Sequence, residues 1–306
     1  MILWFPIKFS MQKILEINNL TRHFGRIRAV DNLSLIVEEG QIFGLLGPNG
    51  SGKTTTLSII SGVARQQSGS YSWFGSQGDD PRARQKIGSL IEVPNFYPYL
   101  SLVNNLRIAA TIKNAPAGDI DRVLKVTDLY KRRYSPYRTL SLGMKQRLAI
   151  ASVLLGDPQV MVLDEPANGL DPGGIAEVRE IISREAGNGK TVVLASHILA
   201  EVEKVCTHVA VLKEGDLLAS GRVDELLGGK QLYMLSASDP GKLETVLVSS
   251  GLVQSVARSG EELTVSCSDT TTAEDLNRFA FERGIVLTRL VAIKKSLESQ
   301  FLELVK

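Results

Sequence analysis

Gly47-Pro48-Asn49-Gly50-Ser51-Gly52-Lys53-Thr54, continued by Thr55, is the stretch that decides how this chain folds. Its spacing is G-x-x-x-x-G-K-[ST], the pattern of a loop that wraps phosphate between a strand and a helix. The apolar Ile42-Phe43-Gly44-Leu45-Leu46 before it suits a buried strand, and Thr55-Thr56-Leu57-Ser58-Ile59-Ile60 after it suits a helix. That order aims successive backbone N–H groups and the positive end of a helix dipole at an anion. The glycines let the main chain close around phosphate oxygens. Lys53 is placed to reach the β- and γ-phosphates, and the Thr54 hydroxyl to bind magnesium. A glycine-rich turn that matches by accident is the competing reading, and the flanking strand and helix disfavour it.

Outside the loop, 306 residues with 43% hydrophobic content suffice for one large domain and a smaller one. The balance of 35 basic against 33 acidic residues, a net charge of +2, gives no bulk electrostatic support to a nucleic-acid partner. Cys206 and Cys267 share no metal-ligand spacing and read as reduced thiols in a cytoplasmic protein. No apolar run approaches the ~20 residues that cross a bilayer. Met1 to Phe9 is apolar but lacks a signal peptide's charged start and cleavage site. Residues 1–12 are therefore expected to be a disordered lead-in, with a weak membrane-surface anchor as the alternative.

Along the chain, Ile14 to Leu20 and Leu33 to Val37 read as strands around a turn at Gly25. Tyr71 to Phe74 and Ile87 to Val93 add two more. Helical spacing runs from Ser101 to Leu129, and a helix from Leu142 to Leu155 is bracketed by Ser141 and Gly156-Asp157-Pro158. Val160 to Leu163 and Thr191 to Ala195 are continuous apolar runs fit for central parallel strands, with a helix over Ile175 to Ala186 between them. Val209 to Leu212 and Leu217 to Ala219 flank Glu214-Gly215-Asp216 as a hairpin. Beyond Gly221 the order becomes strand-helix-strand-strand-helix-strand, that of the ferredoxin-like split motif, with a terminal helix over Ser296 to Val305. The expected division is 13–222 and an accessory 223–306.

Val160 to Leu163 ends in Asp164-Glu165. Two carboxylates at the carboxyl end of a buried strand sit where ligands bind in open α/β sheets. Asp164 is expected to hold magnesium and Glu165 to polarise the attacking water as general base. A solvated acidic pair opening a loop is the alternative, weakened by the phosphate loop upstream.

Between these sites, Leu140-Ser141-Leu142-Gly143-Met144-Lys145-Gln146-Arg147 resembles the LSGGQ signature of ATP-binding-cassette (ABC) proteins. The order of pieces is that family's: phosphate loop, signature, acidic strand, Asn168-Gly169-Leu170-Asp171, then Ser196-His197. The resemblance covers roughly residues 13 to 222. It implies an α/β P-loop NTPase cassette, with a mixed sheet core, an antiparallel β region and a helical subdomain. It also implies two cassettes packed head to tail, the signature of one closing the phosphate loop of the other. Ser141 and Gly143 keep the serine and main-chain donors of the signature, whereas Leu142 and Met144 depart from it. In the family the counterpart of His197 contacts the γ-phosphate, and the aromatic aligned with Phe24 stacks on adenine. Phenylalanine replaces the usual tyrosine there and keeps the π-face.

Glu92, in Ile91-Glu92-Val93-Pro94, stands where most cassettes have a glutamine ligand to magnesium and water. This departure, and Asn95-Phe96-Tyr97-Pro98-Tyr99-Leu100 after it, resemble exporter ATPases of lantibiotic immunity and bacitracin resistance. The family receives a short cytoplasmic helix of its membrane subunit near this region. The expectation is therefore an ATPase that binds ATP and Mg2+, pairs as a homodimer (or a heterodimer), and drives a separately encoded transmembrane permease. It would work at the cytoplasmic face of the membrane. Translation-factor members usually carry two cassettes and DNA-repair members a long coiled coil before the signature; neither feature occurs here.

Overall fold

Residues 12–92, 95–227, 231–268 and 270–293 are described by the computed structural model, which divides between residues 221 and 222 into two compact units. In the first unit, β1 (Lys13–Phe24) and β2 (Ile27–Glu38) pair antiparallel. Gly25, at φ 59, turns the chain so that Phe24 faces Ile27. β3 (Ile42–Leu46) is buried at every position and leads through the phosphate loop into α1 (Lys53–Ile60). β4 (Ser68–Trp73) and β5 (Ser76–Gln77) complete an antiparallel sheet of order β2-β1-β4-β5. Trp73 is fully buried beneath it and its Nε1–H donates to the Ile60 carbonyl at 2.8 Å, tying this sheet to the end of α1.

After α2 (Pro81–Arg84) and β6 (Ile87–Leu90) come two helices, α3 (Leu102–Lys113) and α4 (Asp119–Val126). The helical spacing of Ser101 to Leu129 is broken at Asn114, which ends α3 at φ 57, two residues before Pro116. Pro116 lacks the N–H a continuing helix needs. α5 (Leu142–Leu154) is capped by the Ser141 hydroxyl, which accepts from Met144 N at 3.3 Å. β7 (Val160–Asp164), α6 (Pro172–Gly187), β8 (Thr191–Ser196), α7 (Leu199–Val205), β9 (His208–Lys213) and β10 (Asp216–Arg222) finish the cassette. The second sheet has order β10-β9-β3-β8-β7-β6, and β9, β3, β8, β7 and β6 pair in parallel.

The second unit holds α8 (Val223–Leu227), β11 (Gln231–Ala237), α9 (Pro240–Val248), β12 (Val253–Ser259), β13 (Glu262–Cys267), α10 (Ala273–Glu282) and β14 (Leu287–Ile293). Its antiparallel sheet has order β12-β13-β11-β14, the split β-α-β arrangement. Tyr233, Leu235, Leu263 and Val265 pack with Leu243, Leu247, Leu276 and Ala280 of the two helices into a core of its own. The lead-in over residues 1–11 and the terminal helix over 296–305 lie outside the described residues. Both cysteines are buried and free, and burial pushes the Cys206 thiol up to about 12.

One buried charge braces α5. Arg147 is 7% exposed; its Nη1 donates to the Thr127 carbonyl at 3.2 Å and lies 3.6 Å from Asp128, while Nε stands 3.4 Å from Glu177 on α6. Asp128 and Glu177 are themselves 92% and 52% exposed, so water can take over from the guanidinium at either. Exposed ion pairs contribute under about 1 kcal/mol. The stem and the carbonyl bond should dominate. Arg147→Ala is expected to cost about 2 kcal/mol in urea unfolding. Asp128→Ala and Glu177→Ala should each cost less than half of that, and equal losses from all three would contradict this division.

Candidate active site

Parallel register fixes where the site forms. Leu46 pairs with Ser196, and Asp164 pairs with Ala195, so β3, β7 and β8 run out at one edge of the sheet. The residues that follow are the phosphate loop, Glu165 and His197. Ligands in α/β sheets bind at such carboxyl edges. Gly52 adopts φ 104, and an added Cβ there would stand 2.1 Å from the Ala29 carbonyl oxygen. Only glycine fits. α1 then begins with no side chain capping its N-terminus and no acid in its first turn, which leaves its N–H groups directed outward.

An open cleft of about 320 Å3 lies over this loop, at the lower end of the range of small-ligand sites. Its lining runs from Phe24, Ile27 and Ala29 on the β1–β2 hairpin to Asn49, Gly50, Gly52, Lys53, Thr54, Thr55 and Glu165. Phe24 is 49% exposed, with the Arg22 guanidinium 4.7 Å from its ring centroid. An aromatic face at one end and an anion-binding loop at the other match the two ends of a nucleotide.

Lys53 is buried, and its Nζ donates to the carbonyls of Gly47 at 2.8 Å and Pro48 at 3.2 Å while lying 3.8 Å from Glu165. Burial lowers its pKa; Glu165 and Asp164 oppose that. Asp164 is shifted the other way: burial raises its carboxyl, against a hydrogen bond from Thr54. Glu165 sits at φ 47, where non-glycine residues are uncommon. Its Oε2 lies 2.8 Å from His197 Nδ1. An ionised carboxylate only accepts, so Nδ1 carries the proton and the two residues are clasped.

The buried Asp164 Oδ1 has no hydrogen-bond partner, nor does the buried Ser51 hydroxyl. An orphaned carboxylate oxygen beside a threonine hydroxyl suits a hard divalent cation such as magnesium. No group of three or more His, Cys, Asp or Glu converges on a metal position among the described residues. The remaining ligands of a magnesium ion would have to be phosphate oxygens and waters.

Not every residue singled out in the sequence reaches the cleft. Glu92 is exposed, two residues beyond Leu90, which pairs with Leu163; that register sets it beside the Asp164-Glu165 turn but not in the cleft lining. Ser141 and Gly143 sit at the start of α5, also outside the lining, where Leu142 is 56% exposed and lies against Gly169. Tyr97 and Tyr99 are exposed, while Phe96 stacks on Tyr137 at 5.2 Å between centroids. The Glu165–His197 clasp and the Ile27 and Ala29 wall were not read from the sequence. The Phe24-Gly25-Arg26-Ile27 turn could have signalled the wall, because a two-residue hairpin turn places its flanking residues side by side.

The family model for ABC transporters matches residues 30–168. Bacitracin transport ATP-binding protein BcrA of Bacillus licheniformis is 35% identical over 304 residues, covering 96% of this chain and 98% of that protein. Lantibiotic transport ATP-binding protein SrtF of Streptococcus pyogenes is 37% identical over 226 residues, covering 72% of this chain and 98% of its own length. Among solved structures, a dimeric post-hydrolysis state of the ATP-binding cassette MJ0796 bound to ADP and Pi superposes with a TM-score of 0.62. It is 25% identical over 69% of this chain and 99% of that one.

Burial raises the Asp164 carboxyl, so its ionised form opposes folding of the nucleotide-free protein. The opposition is absent below the ordinary carboxylate value of 3.8, where the group is protonated in both states, and grows as pH rises through the raised folded value. Asp164→Asn should therefore unfold at higher urea than the parent at pH 7.5, with the gap narrowing as pH is lowered. A parent that is the more stable of the two at pH 7.5 would contradict this.

Proposed function

The chain belongs to the ABC transporter family, and from that premise we propose that it is the ATP-hydrolysing subunit of a bacterial exporter. The observation that carries the reading is the single cleft that joins Phe24, the phosphate loop and Glu165. Adenine would stack on the exposed face of Phe24. The triphosphate would run over the N–H groups from Gly50 to Thr55, and Lys53 would exchange the Gly47 and Pro48 carbonyls for phosphate oxygens. Thr54 and Asp164 would hold a magnesium ion, which supplies charge neutralisation of the phosphates. Glu165 would then take a proton from the attacking water.

His197 has two tasks that compete. While its Nδ1–H is given to Glu165, a neutral ring has no second proton to donate to a γ-phosphate. It must release the carboxylate or gain a proton. Either change would free or re-tune Glu165 when nucleotide binds. Glu92 would add a carboxylate near the metal from the neighbouring strand end.

Two copies paired head to tail would set the Ser141-capped start of α5 against the partner's nucleotide; the dimeric relative bound to ADP and Pi supports such pairing. No helix among the described residues is long and apolar enough to cross a membrane, so a separate permease is invoked for transport. Bacitracin-like or lantibiotic-like peptides are the proposed cargo class, on the likeness to transport proteins for those compounds. The alternative of a DNA-repair member lacks its hallmark: between loop and signature stand the short helices α3 and α4.

Glu165→Gln should bind ATP, remain paired in it and hydrolyse about 100- to 1,000-fold more slowly. Lys53→Ala should lose measurable ATP binding by calorimetry. Normal turnover in the first, or parental affinity in the second, would count against the site. Glu92→Ala should slow turnover or uncouple it from export; a variant unchanged in both would remove Glu92 from the metal's surroundings.

A further inference from the structure

His197 is held from two sides. Behind it, β8 ends at Ser196, in register with Leu46 of β3. Ahead of it, one residue intervenes before α7, and the Ser196 hydroxyl accepts from Ile198 N at 3.0 Å across that junction. The sheet fixes the strand end, so the place of the imidazole depends on α7. A seven-residue helix is not stable on its own propensity and takes its position from what it packs against.

The far end of α7 is pinned to β3. Val202 is buried, and a Cβ on Gly44 would stand 3.0 Å from Val202 Cγ1 and from Cys206 Sγ. Glycine there lets the helix lie directly on the strand. Thr207 N then donates to the Ile42 carbonyl at 2.9 Å.

The near end, beside His197, has no side-chain cap. α6 reaches it instead: Arg179 Nη1 donates to Glu201 Oε2 at 3.0 Å, with the two side chains 33% and 20% exposed. Lys204 lies 3.0 Å from Glu201 Oε1, but it belongs to α7 and adds no link between the helices. A recess of about 40 Å3 opens between them, lined by Ala167, Val178, Ser196 and Val202 as well as by Arg179 and Glu201. Interiors leave few gaps of this kind, so apolar packing is incomplete where the ion pair sits. α6 is the firmer body: Asp171 caps it, and Val178, Ile181 and Ile182 are buried.

We propose that Arg179 and Glu201 are positioning residues for His197. Their ion pair holds the first turn of α7 out of the recess and so keeps His197 Nδ1 against Glu165. The proposal rests on the reading of Glu165 and His197 given above. Neither Arg179 nor Glu201 lines the nucleotide cleft. A half-buried carboxylate stripped of its guanidinium is an uncompensated charge that moves toward water. Loss of Arg179 would therefore turn the end of α7 and carry His197 with it.

The chain has three histidines, His23, His197 and His208, so ring nitrogen NMR of the full-length protein tests this directly. The His197 signal is assigned by its loss in His197→Gln. In the parent, the neutral His197 ring should be the Nδ1–H tautomer that its contact with Glu165 requires. Arg179→Gln and Glu201→Gln should each lose that preference, while unchanged His23 and His208 signals certify the fold. ATP hydrolysis should fall about tenfold in kcat, less than the ~100-fold that misplacing a reacting group can cost. KM for ATP should stay within about twofold. Arg179→Lys, which keeps the charge without the fork, should recover part of both the tautomer and the rate. A parent ring without the Nδ1 proton, or an unchanged tautomer in both glutamine variants, would overturn the proposal. A changed tautomer with parental kcat would leave it standing and sink the reading of His197 and Glu165 as the hydrolytic pair.

Discussion

The clasp between Glu165 and its two cationic or protic neighbours depends on one constraint, the parallel register of β3, β8 and β7. Strand ends that finish level with one another deliver a lysine, a carboxylate and an imidazole to one point from residues 53, 165 and 197. A slip of one position in any strand would turn its buried run inside out and carry its terminal residue to the opposite face. Hydrophobic burial along Val160 to Leu163 and Thr191 to Ala195 therefore sets the geometry of the chemistry.

Burial also sets the electrostatics of the site. Lys53 and Asp164 are each shifted toward their uncharged forms, and Asp164 keeps an oxygen with no partner. A site held in this way gains from any ligand that brings negative charge to the lysine and positive charge to the carboxylate. A nucleotide with a divalent cation brings both. The desolvation that shifts these groups is offset when such a ligand binds, which is the usual sense of preorganisation.

Much of the fold was legible because its signals are local. The phosphate loop, the continuous apolar strands and the serine cap of α5 are each decided within a dozen residues, and they sit where the pattern put them. What was not legible is what only tertiary contact decides. The break at Asn114 needed an αL residue that the apolar spacing on either side concealed. The short α7 has no side-chain cap and a single fully buried residue, so it gives almost no periodic signal. The Glu165–His197 contact joins residues 32 apart, and nothing in either neighbourhood specifies it. The roles read for Asp164 and Glu165 differ in the structure as well: both are half-buried, but Glu165 alone lines the cleft.

The second unit illustrates how little topology says about task. Its strand order and independent core follow from alternating patterns in Gln231 to Ala237 and Glu262 to Cys267. SrtF, aligned over 98% of its own length, matches only 72% of this chain, so a relative of that transport class is complete in a length close to that of the first unit. The site residues all lie before residue 198 as well. No residue read into the nucleotide site comes from the second unit. Charge is also unevenly placed within the first unit: the 129–156 stretch carries six basic residues and no acid.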